Sequence, residues 1–365
     1  MHEFDTSHGS LEKDMSIIKK QRSRTSYEEK NTLLARGTQN GIKTALDNFE
    51  KFGLEKYNTD DLATELKLVE DEVLFDTMQE WINWSTVAPS TLALYFSRIK
   101  DYLYYRGVKI SQQDVKHELK FPHKIEEEFY GITREEINTI FRYLSFKYRL
   151  IFTCQSSALM RIGETLQLRK KHLETENEEG IPLKNIIIHI PAPIAKFKKA
   201  RTTFLSTEAS KMLRPVLKKL DDDDLVFTTQ ENYVYAELSA GQALRRALVQ
   251  SHLDMRYEST DYFKINTHSF RAFGITKMAR IDENLSKKLS GQKGYLLQYD
   301  RLKDPEKLEI YKKCEVDLLI DNTQVQQAKI TKLKEENNKL QIINTISPED
   351  LRTLLKMAKT SHSDQ

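Results

Sequence analysis

Apolar residues recur at steps of three and four from about residue 40 onward. Ile42, Leu46, Phe49 and Phe52 form one such set, and Leu92, Tyr95, Phe96, Ile99 and Leu103 another. That period lines up each set on one face of a helix. Pro89-Ser90-Thr91 supplies helix-start chemistry ahead of the second set, and Gly107 is placed to close it. Residues 36–111 are therefore expected to form a small all-helical domain. The stretch 1–35 is polar, rich in Ser, Lys and Arg and without periodicity, and reads as a flexible arm. Residues 112–131, polar and containing Pro122, read as a linker.

Thr133-Arg134-Glu135-Glu136 carries a capping box, so a second domain is expected to begin near residue 132 and run to about 320. Helical patterning continues to about Lys171. Two β-branched runs follow, Asn185–Ile190 and Arg201–Leu205, and with the lysine-rich segment between them they predict a short antiparallel hairpin. Helices are then expected over Ser206–Leu220, Ala240–Leu253, His268–Ala279 and Glu283–Lys288. The fold class is thus mainly α with a small β-hairpin. In the tail, 321–365, Ile330, Leu333, Asn337, Leu340 and Asn344 sit at a- and d-like positions. The pattern fits a single helix packed on its own domain or a short coiled coil.

Composition changes this picture little. With 39% hydrophobic and 30% charged residues the chain suits a globular protein with a well-charged surface. No apolar run approaches the roughly 20 residues of a membrane helix, and no signal-peptide core opens the chain. A cytoplasmic location and no membrane partner are expected. Cys154 and Cys314 form neither a disulfide framework nor a metal-ligand spacing. The net charge of +3 does not by itself argue for nucleic acid, but charge is segregated. Acidic runs at Glu126–Glu128 and Asp221–Asp224 offset basic ones at Arg169–Lys171, Lys196–Arg201 and Arg245-Arg246.

The candidate chemistry is a set of polar residues in order. Arg161 follows the apolar stretch Ser157–Met160 and precedes Glu164 by three, which taken alone is a helix salt bridge. Lys196 lies in the predicted hairpin. His268 and Arg271, in Thr267-His268-Ser269-Phe270-Arg271, share one helical face. Tyr299 lies ahead of the tail. The box around Arg161, the His-x-x-Arg sequence, Lys196 five residues before Arg201–Leu205, and Gly294-Tyr295-Leu296-Leu297-Gln298-Tyr299 together resemble the tyrosine recombinase (phage integrase) family. The likeness spans roughly residues 40–319, and the last segment is closest to archaeal integrases.

That resemblance implies a helical core-binding domain and a catalytic domain closing on duplex DNA as a C-shaped clamp. It also implies an enzyme that breaks and rejoins strands through a 3′-phosphotyrosine, with no metal or other cofactor, working as a dimer or tetramer on its recombination site and so associated with the nucleoid. Arg161, Lys196, His268, Arg271 and Tyr299 would be catalytic, with Tyr295 second and Tyr311 third in line as nucleophile. The family's Gly-His pair is Gly291-Gln292 here, and glutamine carries no proton charge. Lys198, Lys199 and Arg106 are candidate DNA contacts. Arg106 closes the cluster Tyr102, Tyr104, Tyr105, which fits either DNA or the core. The rival readings are a type IB topoisomerase-like enzyme, a catalytically weakened DNA-binding protein of the same fold, and a helical adaptor built on the tail.

Overall fold

The computed structural model describes residues 22–292 and 301–345, and the chain divides into two compact units between Glu126 and Glu127. Among the described residues of the first unit there are six helices: α1 Arg24–Lys30, α2 Arg36–Tyr57, α3 Leu62–Glu65, α4 Asp71–Trp84, α5 Pro89–Arg106 and α6 Gln112–Glu118. The apolar faces of the longer three meet in a core around Leu46, Phe49, Phe52, Met78, Trp81, Leu92, Ile99 and Leu103. Full burial of one such side chain contributes about 1.5–3 kcal/mol. The buried indole of Trp81 donates to Asn48 Oδ1 at 2.9 Å, so its polar atom is satisfied.

Both edges of this unit differ from the periodicity reading. The expected arm contains α1, whose Tyr27 is buried against Tyr102 and Tyr105 and whose Arg24 is bound by acidic side chains of α2. The polar residues on both sides of Tyr27 hid a helix held by one ring and one ion-pair network. The expected linker contains α6, with Leu119 buried just after it and Phe121 packed edge-on to Phe96. The spacing of apolar residues there is too sparse for a periodic signal, yet enough to close the core.

The second unit opens with α7 Arg134–Phe141, α8 Phe146–Ser157 and α9 Ile162–Leu166, with the Thr133 capping box formed as expected. A three-stranded antiparallel sheet follows: β1 Leu173–Glu176, β2 Pro182–Ile190 and β3 Arg201–Phe204, in spatial order 1-2-3. Strand β2 pairs with β3 in the register Ile187–Phe204 to Ile190–Arg201, the anticipated hairpin. Strand β1 was not legible, because Leu-Glu-Thr-Glu has one apolar residue and forms a short charged edge.

The remaining helices are α10 Thr207–Leu217, α11 Tyr233–Gln250, α12 Thr267–Ala279, α13 Glu283–Ser290, α14 Asp304–Leu318 and α15 Asn322–Thr345. Helix α8 is buried through its last eight residues, and Phe152 stacks on Phe270 of α12 with centroids 4.4 Å apart. A Cβ at Gly274 of α12 would lie 2.1 Å from the Ser156 carbonyl oxygen, so this close approach of α12 to α8 requires glycine. The crossing brings the carboxyl end of α8, and with it Arg161, beside the face of α12 that carries Arg271. Beyond Val325, α15 leaves Ile330, Leu333 and Leu340 exposed. No described helix is long and apolar enough to cross a membrane.

Candidate active site

The start of α9, the β2–β3 hairpin and α12 converge on Glu164. Arg161 caps α9, and the carboxylate three residues later turns back to accept from the Arg161 backbone N–H at 2.9 Å and from its Nη1 at 3.1 Å. Arg201, the first residue of β3, donates Nη2 to Glu164 Oε2 at 2.6 Å and Nη1 to Oε1 at 3.2 Å. Arg271 Nη1 lies 3.9 Å from Oε2. The backbone N–H of Lys196 reaches Oε1 at 3.4 Å. Glu164 and Arg271 are each only 2% exposed, and burying such groups is tolerable only because they face one another.

Backbone carbonyls complete the frame. Arg271 donates Nη1 to the Leu159 carbonyl and Nη2 to Ser290 O at 2.8 Å, while Arg201 Nε donates to Leu289 O at 2.8 Å. Leu289 and Ser290 end α13, where carbonyls lack helical partners, so two guanidiniums serve as its carboxyl-terminal cap. Gly291 ends the helix at φ +65°, and a Cβ there would lie 3.0 Å from Arg201 Nη1, so glycine is needed for the turn and for the contact. Leu159 holds φ +55°, a left-handed conformation that strains a leucine, and its carbonyl is the one that receives Arg271.

The charges do not balance. Arg161, Arg201, Arg271 and Lys196 gather around one carboxylate. Burial alone would raise the pKa of Glu164, but Arg201 and Arg161 hold it below the usual carboxylate range. Burial and the facing charge of Arg161 pull the Arg271 guanidinium down to about 9. His268, one turn before Arg271 on α12, is likewise held below its usual value by partial burial and by Arg271, Arg161 and Lys196. An anion placed here would relieve the repulsion on both Arg271 and His268.

The site opens into a cleft of about 1080 Å³ lined by Arg161, Lys196, Phe197, Lys199, Arg201 and Gln292 among others. Arg161, Lys196, His268 and Arg271 thus share one site, as their order in the chain suggested, and Lys199 and Gln292 line the same cleft. Lys198 is exposed and donates to the Pro193 carbonyl at 2.6 Å. Tyr295 and Tyr299 lie outside the described residues, as does the segment whose likeness was to archaeal integrases. Tyr311 is fully buried, its hydroxyl hydrogen-bonded to Ser157 and its pKa raised well above normal by burial, which removes it as a nucleophile.

Arg106 requires a correction. Its guanidinium grips both oxygens of Asp61, at 2.9 and 2.7 Å, and Tyr102 Oη at 2.5 Å, with the side chain 10% exposed. Tyr102 is buried and Tyr105 packs against Tyr27 with the rings tilted. This end of α5 is core and brace, leaving no open fork for a phosphate. The residues that sequence reasoning missed are Glu164 as organiser, first read as the partner in a helix salt bridge, and Arg201, first read as a strand residue in a basic run. The available signal at Glu164 was a carboxylate set between Ile162 and Leu166; Arg201, in Lys199-Ala200-Arg201-Thr202-Thr203, carried none.

The architecture is thus a helical unit and a second unit in which a small antiparallel sheet lies beside an under-neutralised arginine cluster. Residues 130–287 match the model of the phage integrase family. Solved structures with a similar fold include the XerH site-specific recombinase bound to palindromic difH substrate in a post-cleavage complex. It is 16% identical, with a TM-score of 0.50 over 84% of this chain and 82% of that one. The Tn1549 transposon integrase in complex with transposon right end DNA is 12% identical, with a TM-score of 0.46 over 80% and 99%. A lambda integrase dimer bound to a COC′ core site is 13% identical, with a TM-score of 0.43 over 77% and 79%. No curated protein matches the chain in sequence.

Proposed function

We propose that this protein is a site-specific DNA recombinase that breaks and rejoins duplex DNA through a 3′-phosphotyrosine, acting as a dimer or tetramer on its site in the nucleoid. The observation that carries the reading is the surplus of positive charge around Glu164, in a region that matches the model of the phage integrase family. Phosphoryl transfer builds negative charge on the non-bridging oxygens, and fixed guanidiniums answer it without reorganising. Arg271 uses two of its five N–H donors on carbonyls, and Arg161 one on Glu164, so each keeps donors for a phosphate.

The chemistry follows from the same groups. The phenol of Tyr299 gives its proton to neutral His268 as its oxygen attacks phosphorus. The bond to the 5′ oxygen breaks, and Lys196 donates the proton that this oxygen needs. Rejoining runs the same steps backwards with a new 5′ hydroxyl, so the phosphodiester energy is retained and no nucleotide triphosphate is required. Glu164 touches no reacting atom; it holds Arg161 and Arg201 in register.

The test is covalent trapping on a nicked duplex followed by mass spectrometry of the DNA-linked peptide. A 3′ adduct on the peptide containing Tyr299 is expected. An adduct on Tyr295 moves the nucleophile. Relaxation of supercoiled plasmid with no recombinant product indicates the topoisomerase-like activity instead, and no adduct on any duplex overturns the reading.

A further inference from the structure

Helix α8 ends in a Schellman turn. The Met160 N–H donates to Gln155 O at 3.1 Å and the Leu159 N–H to Ser156 O at 3.4 Å, which satisfies two of the last carbonyls. Such a turn puts the residue after the cap in the left-handed conformation, and Leu159 takes it at φ +55°. Glycine is the usual residue at this position, because a Cβ is crowded there. Among the described residues the other non-glycine positions with positive φ are Asn58, Lys198, His252 and Asp261, all polar and exposed. Leu159 is apolar and fully buried. Strained backbone persists where the surrounding packing over-determines it, and here the side chain supplies that packing. It joins Phe204 of β3, Met278 of α12, Leu285 and Leu289 of α13 and Tyr311 of α14 in one apolar cluster. Its Cδ2 lies 2.6 Å from where a Cβ would stand on Gly274, so it fills the notch that this glycine leaves in α12. The carbonyl of the strained residue accepts from Arg271 Nη1, while Ser290, next to Leu289 of the same cluster, accepts from Nη2.

We propose that Leu159 is a positioning residue for phosphoryl transfer: its buried side chain holds the left-handed turn, and the turn aims the carbonyl that orients Arg271 toward the scissile phosphate. The inference rests on the recombinase reading. Leu159 touches no reacting atom and acts only through Arg271. A residue free to leave the left-handed region would turn its carbonyl away. Arg271 would then lose one of the two carbonyls that set the plane of its guanidinium. Misplacing an aimed group by about 1 Å can slow a reaction about 10²-fold, so a local change of backbone is read in the rate.

The test uses the full-length protein and a nicked duplex recovered by covalent capture from a random-sequence pool. The rate of adduct formation at saturating DNA is compared for wild type, Leu159→Ala and Leu159→Gly, each corrected for the folded fraction measured by circular dichroism. Both variants lose the buried side chain, but only glycine takes the left-handed turn without strain. Leu159→Ala is expected to trap roughly 10- to 100-fold more slowly than wild type, and Leu159→Gly to regain most of that rate. In an Arg271→Ala background the difference between the two should vanish, since no guanidinium remains to be aimed. If the cavity unfolds both small variants, Leu159→Met and Leu159→Val carry the same comparison with the core filled. Valine, whose branched Cβ disfavours the left-handed region most, should then trap slowly and methionine should not. Equal rates within either pair, or a difference that survives in Arg271→Ala, would overturn the proposal while leaving the recombinase reading intact. Failure of wild type to form any adduct would instead remove the reading beneath it.

Discussion

In the first unit Arg24 binds Glu28 at 2.9 Å, Asp47 at 2.5 Å and also Glu50, while Arg106 takes both oxygens of Asp61. Acids match or outnumber the cations, and the protonated forms of both arginines are favoured by these partners despite the opposing effect of burial. In the second unit Arg161, Arg201, Arg271 and Lys196 surround Glu164, and Arg271 is pulled down rather than up. The same residue type braces helices in one unit and leaves an unfilled charge in the other. The neutralised arginines brace helices, whereas the arginines left in surplus are the ones the proposed function assigns to the DNA phosphate.

The comparison can be broken most sharply at the nucleophile. Tyr299→Phe is expected to abolish covalent trapping with DNA binding kept, whereas Tyr311→Phe should trap normally and lose about 1 kcal/mol of stability with the Ser157 hydrogen bond. A trapped adduct from Tyr299→Phe on gels of nicked duplex would displace it as nucleophile. Next, Arg161→Ala is expected to slow trapping roughly 10²- to 10³-fold, the cost of one aimed donor. Trapping near the wild-type rate would show that its charge is not a phosphate clamp.

Stability separates the two clusters again. Glu164→Ala strands Arg271 and Arg201 in the interior and should cost about 3–5 kcal/mol by urea denaturation. Asp61→Ala, whose carboxylate is half-exposed, should cost about 1 kcal/mol and leave trapping unchanged. Similar losses for the two would erase the distinction drawn above. The smallest effect is in pH. His268 binds its proton less readily when folded, so the unfolded chain holds more protons and stability rises as pH climbs towards about 6.5. His268→Gln should flatten the dependence of the denaturation midpoint between pH 5 and 7. A residual slope is expected from His172, which burial also lowers.

The hydrophobic spacing marked α5, α10, α12 and the β2–β3 hairpin, because each has a face that must be buried and a start or stop residue that says where it begins or ends. It missed α1, α6 and β1, which are short and held by one or two tertiary contacts each. In the candidate site, the order Arg161, Lys196, His268, Arg271 was legible, since a motif is a local string. Glu164 as their common partner was not, because Arg201 and Arg271 reach it from 37 and 107 positions away. Arg106 was misread for the mirror-image reason: its partner, Asp61, is 45 residues distant.

What the sequence determined by itself was the set of helices and strands with strong periodicity, and the presence of the catalytic residue types in family order. Only the tertiary structure decided which of those cations are cancelled and which are left in surplus. Cancellation depends on which carboxylates and carbonyls come within hydrogen-bond distance, and no spacing along the chain specifies that. It is settled when α8 crosses α12 at Gly274 and the carboxyl end of α13 closes over both buried arginines.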